Sequence, residues 1–285
     1  MKIFIAIISI SLFAGYIFIK NKDISIPGKK NANKKESATL TGEINIKEKW
    51  ELPPQLAEVS AIVYLDEERF ACVQDERGTI YIFNTRLNSI EKEIPFAGIG
   101  DYEGMALEGN TAYIVRSDGV LFEVDMAKEK SKEFKTYLTT KNNIEGLCLD
   151  KKNNRLLLAG KDEDSRYPGY KCIYAFDLSQ KILLPEPVIK IDLNNELLQK
   201  TKGKKNNGFK PSDIGINPAT NDIYLTDGAN ARLMIIDASG QIKKVFELGK
   251  DFAQPEGITF SPKGDIFISN EGKKIPGNII ALEIN

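Results

Sequence analysis

A unit recurs five times along this chain: an acidic residue, usually followed by Gly, opens a short apolar strand, and then come a polar turn, a second strand and a polar tip. The copies start at Glu58 (EVSAIVY), Glu103 (EGMALEG), Glu145 (EGLCLDK), Asp213 (DIGINPA) and Glu256 (EGITFSP). Second strands follow at 70–74, 112–116, 156–160, 223–227 and 266–270, and third strands at 80–84, 121–125, 172–177, 233–237 and 278–283. Apart from one longer interval the starts lie roughly 42 to 45 residues apart, the period of a four-stranded propeller blade. This pattern predicts an all-β fold, a five-bladed β-propeller. The long interval between Glu145 and Asp213 carries a tip loop, DEDSRYPGY, and a stretch from Leu193 to Phe209 in which a short helix is expected before a Lys/Asn/Gly loop. A six-bladed propeller is the alternative, since that insertion is the one place where part of another blade could hide.

The last copy ends after three strands, which leaves an unpaired outer edge, and propellers commonly lend a strand from the other terminus to cover it. INIKEKWEL, 44–52, lies just ahead of the first copy and alternates suitably, so it is expected to be the fourth strand of the final blade.

Antiparallel blades gather the starts of their inner strands on one face of the disc, nearest the axis. Glu58, Glu103, Glu145, Asp213 and Glu256 are therefore expected to converge. Two carboxylates about 6 Å apart repel by about 3 kcal/mol even at an effective dielectric near 20. A hard cation is the natural compensation, and Ca²⁺, which takes oxygen ligands in irregular geometry, is the expected cofactor with these five residues as its metal ligands. The alternative is that each acid accepts backbone N–H groups and holds its own turn without any metal. A second acidic set, farther out, comprises Asp75, Glu76, Asp118, Asp162 to Asp164, Asp227 and Glu271. Basic residues of the tip loops (Arg77, Arg116, Lys161, Arg166, Arg232 and Lys273) are expected to encircle the centre, as an anionic ligand would want. Trp50, Tyr102 and Tyr167 either line a ligand surface or fill gaps between blades.

Composition removes other classes. The chain has no histidine, so no imidazole serves as base or zinc ligand. Net charge is −1, which argues against nucleic acid as a partner. Cys72, Cys148 and Cys172 sit in apolar runs without metal-type spacing and read as buried thiols, with one disulfide plus a free thiol as the alternative. Ile3 to Ile19 is uncharged and flanked by Lys2 and Lys20, at the short edge of a membrane span. Residues 1–20 are thus expected to be an uncleaved transmembrane signal-anchor, 21–43 a flexible tether, and 44–285 the propeller, held at the cell membrane on the exported side.

The runs LPPQLAEVSAI (52–62), FACVQDERGTIYIFN (70–84), IPFAGIGDYEGMAL (94–107), NIEGLCLD (143–150), PSDIGINPATNDIYLTDGANARLMIIDASG (211–240) and QPEGITFSPKGDIFISNEG (254–272) resemble the SdiA-regulated family of bacterial proteins. The resemblance implies a five-bladed, exported propeller with a calcium site, and supplies no biochemical role. Glu103, Glu145 and Glu256 match the family's Glu-Gly pattern and Asp213 its acidic position. Glu58 matches too, but Ala61 stands where Gly is usual, and the third tip loop, GKDEDSRYPGY, departs from the pattern. The function expected first is recognition of a small-molecule or protein ligand at a calcium-bearing acidic face. A Ca²⁺-dependent hydrolase of phosphoesters or lactones is the alternative, with Glu103 or Glu145 as base, and a metal-free scaffold is a third reading.

Overall fold

The computed structural model describes residues 43–200, 208–272 and 275–285. The proposed anchor, nearly all of the tether and Lys273 lie outside the described residues. The strands belong to one compact unit, Leu40–Asn285. In chain order they are β1 (Ile44–Glu51), β2 (Val59–Asp66), β3 (Arg69–Gln74), β4 (Arg77–Asn84), β5 (Ser89–Ile99), β6 (Tyr102–Glu108), β7 (Thr111–Arg116), β8 (Leu121–Asp125), β9 (Lys130–Phe134) and β10 (Ile144–Asp150). They continue as β11 (Arg155–Gly160), β12 (Tyr170–Asp177), β13 (Ile182–Leu183), β14 (Ile189–Asp192), β15 (Asp213–Ile216), β16 (Ile223–Asp227), β17 (Arg232–Ile236), β18 (Ile242–Glu247), β19 (Pro255–Phe260), β20 (Ile266–Asn270) and β21 (Asn278–Ile284). One short α-helix, α1 (Glu196–Lys200), falls in the stretch where a helix was expected.

These strands make five antiparallel sheets: β2-β3-β4-β5, β6-β7-β8-β9, β10-β11-β12 with β13 and β14 sharing the outer place, β15-β16-β17-β18, and β19-β20-β21 with β1 outermost. The inner strands β2, β6, β10, β15 and β19 each neighbour the next, and β19 neighbours β2, so the ring has five blades. The six-bladed alternative fails because the extra length before β15 adds no sixth sheet among the described residues. It holds the third tip loop, a split outer strand and α1.

The hydrophobic core is divided in the same way. Five apolar clusters fill the five gaps between adjacent blades, for example Val73, Ile80, Met105 and Ile114 between the first and second, and Leu56, Ile62, Phe70 and Ile279 between the fifth and first. Inner and middle strands bury both faces this way and read as continuous apolar runs. Outer strands such as β9 (KSKEF) bury almost nothing and are correspondingly charged. Trp50 of β1 packs against Phe70 (6.2 Å) and Phe267 (6.4 Å), and Tyr102 is buried against Phe96 and Phe122, so both fill gaps between blades. The three cysteines are buried free thiols.

β1 runs antiparallel to β21 with Ile44 opposite Ile284 and Glu51 opposite Asn278. Asn278 pairs with Asn270, and Asn270 with Pro255, the residue before Glu256. The Glu51 end of β1 is therefore level with the acidic face, and Ile44 enters the disc at the opposite face.

Candidate functional site

Register explains how acids reach the axis. In β6, Tyr102 pairs with Arg116 and Gly104 with Val115, so Glu103 is an extra residue bulged out of the ladder. Glu145 is bulged in the same way between Ile144 and Gly146, and Glu256 falls in the break between Pro255 and Ile258. A bulge re-aims its side chain and bends the strand. Here it turns three glutamates from three blades toward one place.

The following glycine is what allows the blades to come so close. A Cβ on Gly104 would lie 2.6 Å from the Leu147 nitrogen, one on Gly146 2.8 Å from the Ile214 nitrogen, and one on Gly257 2.8 Å from the Ile62 nitrogen. Each of these contacts is backbone of the next blade. The Glu-Gly pair thus joins an axial acid to the residue that lets inner strands touch.

The same register divides the five predicted positions. In the first blade the bulged residue is Ser60, between Val59 and Ala61, and Glu58 lies two residues earlier, exposed. In the fourth blade Asp213 pairs with Thr226, which is the glycine place of other blades, so Ser212 holds the acid's place. Both serines act as latches: Ser60 Oγ donates to the Tyr102 carbonyl (2.6 Å) and Ser212 Oγ to the Pro255 carbonyl (2.8 Å). Each holds the backbone just before the next blade's glutamate. Asp213 is 1 % exposed and accepts the N–H of Leu147 (3.3 Å) and of Ile258 (2.8 Å), which stitches the fourth blade to both neighbours. Burial raises its carboxyl well above the ordinary range, against the backbone donors.

Glu103, Glu145 and Glu256 form the axial cluster. Burial, then repulsion from Glu145, pushes Glu103 up to about 10. Burial and Glu145 push Glu256 up to about 8. Glu145 is raised by burial, but Lys161 opposes the shift, its Nζ lying 2.8 Å from Oε2. Asn143 donates to the other oxygen of Glu145 (3.0 Å) and Gln254 to Glu256 (2.9 Å). Lys161 reaches in from the third tip loop, and buried Lys171 holds its carbonyl at 2.5 Å. Sequence reading placed Lys161 in the surrounding basic ring; directly after β11, with its N–H on the Asn143 carbonyl (2.8 Å), it lies instead in the acidic centre. Beside the cluster, Asp75 has a buried Oδ1 with no hydrogen-bond partner, and burial together with Glu58, Glu76, Glu271 and Asp101 raises it to about 6. Among the described residues no group of three or more His, Cys, Asp or Glu is spaced to hold a metal ion as it stands.

Three arginines of the basic ring each hold a carboxylate of their own tip loop. Arg116 pairs with Asp118 (2.8 Å), Arg166 with Asp164 (2.7 Å) and Arg232 with Asp227 (2.6 Å). These pairs order tip loops and neutralise Asp118, Asp164 and Asp227 of the outer acidic set.

The model of the SdiA-regulated family matches residues 39–274. This chain belongs to the SdiA-regulated family. Among curated proteins none matches it in sequence. In fold this SdiA-regulated propeller is similar to the glutaminyl cyclase of Myxococcus xanthus, with TM-score 0.59 and 16% identity over 86% of this chain and 97% of that one. It also matches Kuenenia stuttgartiensis hydrazine synthase, at TM-score 0.46 and 13% identity over 75% and 55% of the two chains. A Bacteroides caccae protein of unknown function matches at TM-score 0.44 and 12% identity over 71% and 65%. The first likeness concerns the propeller fold alone, and the other two carry no argument.

Proposed function

We propose that this SdiA-regulated propeller is a membrane-tethered, exported binding protein whose acidic cup takes a hard cation, Ca²⁺, and with it an external small-molecule or protein ligand. The observation that supports this is the convergence of Glu103, Glu145 and Glu256 from three blades, with one lysine to offset them. Two of the three sit so far above the ordinary carboxylate range that they either keep a proton or gain from a cation. The donor set is all oxygen, which suits a hard cation. The carboxylates are not spaced to hold an ion as they stand, so binding asks the Lys161–Glu145 pair to part. Asp213 is a positioning group in this reading, because its oxygens are engaged by backbone, and Glu58 lies with Asp75 outside the trio. When bound, calcium would supply the positive charge that the cup lacks. Among the described residues no helix is long and apolar enough to cross a membrane.

The test is a calcium titration of the full-length protein followed by thermal unfolding. A ligand at about 100 times its Kd adds about 2.7 kcal/mol to stability. The shift should vanish in Glu103→Gln/Glu256→Gln, and the wild-type protein should lose it again on chelation. No shift at millimolar calcium leaves the metal-free scaffold as the better account. The hydrolase alternative assigns the base to Glu103 or Glu145 of the same cup. It further requires calcium-dependent turnover of a phosphoester or lactone panel, lost in Glu145→Gln.

A further inference from the structure

The tip loop 161–169, which departs from the family pattern, does more than deliver Lys161. It also builds a second concave feature at the rim of the disc, remote from the axial carboxylates. Outside β12 the outer strand is broken into β13 and β14 by Leu184–Val188, whose Pro185 and Pro187 cannot donate to a ladder. The turn around Ser239 comes alongside from the fourth blade, since a Cβ on Gly240 would lie 2.7 Å from Ile189 Cγ2. The cavity so formed is about 520 Å³ and is lined by Arg166, Tyr167, Tyr170, Val188, Lys190 and Ser239, among others. That volume is within the range of small-ligand sites, roughly 300 to 1,000 Å³.

Its walls are held from behind. The Nε and Nη2 of Arg166 are gripped by Asp164 at 3.0 and 2.7 Å, and Asp164 is in turn fixed by the Tyr174 hydroxyl at 2.6 Å. Asp164 is 6% exposed and Tyr174 is 1% exposed, so this support is part of the core. The guanidinium lies between two rings, 5.6 Å from the centroid of Tyr137 and 5.3 Å from that of Tyr167. Lys190 Nζ stands 4.8 Å from the Tyr167 centroid. Tyr137 is tied through its hydroxyl to the Leu184 carbonyl (2.7 Å), and Tyr167 through its hydroxyl to Glu186. The result is a ladder of ring, guanidinium, ring and ammonium that needs no rearrangement.

The ladder has unspent capacity. Asp164 takes the Nε and Nη2 edge of the Arg166 fork, and the Arg166 side chain is still 45% exposed. Among the described residues Lys190 is paired with no carboxylate, and it is exposed. Tyr170 is 40% exposed and, with Pro168 and Val188, offers an apolar wall. Arg166, its charge shared with Asp164, and the exposed Lys190 present the donors that carboxylate and phosphate oxygens select, and sulfate offers similar oxygens. The Tyr167 ring already carries cations, which leaves no slot in which a nucleobase could be sandwiched, whereas a single exposed ring suits the C–H face of a sugar. We propose that this rim cavity binds an anionic saccharide, its carboxylate or sulfate held by Arg166 and Lys190 and its ring resting on Tyr170.

The inference is independent of calcium and can be tested apart from it. Calorimetric titration of the full-length protein would use an acidic trisaccharide of galacturonate, the neutral maltotriose, inorganic sulfate and AMP as probes. The galacturonate trimer should bind, and maltotriose should not. Lys190→Ala should weaken the acidic trimer by roughly tenfold, the loss of one charge-assisted hydrogen bond. Tyr170→Ala should weaken it by a similar factor of roughly five to ten, as one lost aromatic contact. Both side chains are exposed, so the fold should persist, which circular dichroism checks. Arg166→Lys keeps the charge beside Asp164 and loses the fork, and should also bind more weakly. Glu103→Gln, at the axis, should leave the affinity unchanged. The proposal is overturned if acidic and neutral trimers bind alike, if AMP binds more tightly than the acidic trimer, if sulfate alone matches it, or if Lys190→Ala and Tyr170→Ala bind as the wild type does.

Discussion

Gly104→Ala tests the packing on which the acidic cup rests. A Cβ at this position would lie 2.6 Å from the Leu147 nitrogen, 2.8 Å from the Leu147 Cβ and 3.0 Å from the Gly146 carbonyl carbon. Ordinary contact begins near 3.4 Å, so the inner strand of the third blade must retreat by somewhat under 1 Å. Leu147 is itself hydrogen-bonded to Asp213, so the retreat is passed on to the fourth blade. Overpacking of this kind costs about 1 to 3 kcal/mol, against a gain of about 0.4 to 1 kcal/mol from a less flexible unfolded chain. The net loss should reach up to about 2.6 kcal/mol, or up to roughly 10 °C in melting temperature for a domain of this size. Gly98→Ala is the internal control, because a Cβ there meets nothing within 4 Å. It should be neutral or slightly stabilising. Urea unfolding of both variants beside the wild type decides the matter. A Gly104→Ala protein as stable as Gly98→Ala would mean that the inner strands do not touch as described, and the reason given for the Glu-Gly pair would fall with it.

Stability should also depend on pH in an unusual direction. A carboxyl raised in the folded state contributes fully below its unfolded value and loses that contribution as pH rises through its folded value. For Glu256 and Glu103 the window runs from the ordinary glutamate value of 4.5 up through about 8 and about 10. Urea unfolding without calcium should therefore show falling stability between about pH 5 and about pH 10, with a shallower fall in Glu103→Gln. A flat or rising profile in the wild type would contradict the placement of these carboxyls. Deletion of residues 44–51 should strip β21 of its partner and remove the Trp50 contacts with Phe70 and Phe267, leaving an exposed sheet edge. The product should aggregate or unfold without a cooperative transition, and a monomeric protein with a wild-type melting curve would show that β1 is dispensable to the ring.

How far each feature could be read in advance follows from the range of the interactions involved. Blade period, strand order and blade number are written in local patterns, because each strand's apolar run and each turn's polar residues are set by burial within a repeat of about 43 residues. The Glu-Gly pairs are equally local and pointed to Glu103, Glu145 and Glu256 as axial residues. Glu58 and Asp213 look like members of the same series, yet register alone assigns them elsewhere. Ser60 and Ser212 hold the corresponding places, and a one-residue bulge in a ladder leaves no mark in composition. A serine in an EVSA or PSDI run would have been the only hint.

The amino-acid sequence by itself determined that this chain winds into five blades and that acids begin the inner strands, since both follow from periodicity and from the chemistry of adjacent residues. The tertiary structure alone decided which acids meet, that Lys161 comes from a tip loop to lie against Glu145, and that Asp213 is bound to the backbones of two other blades. Those outcomes depend on distances between residues far apart in the chain, which only ring closure brings together.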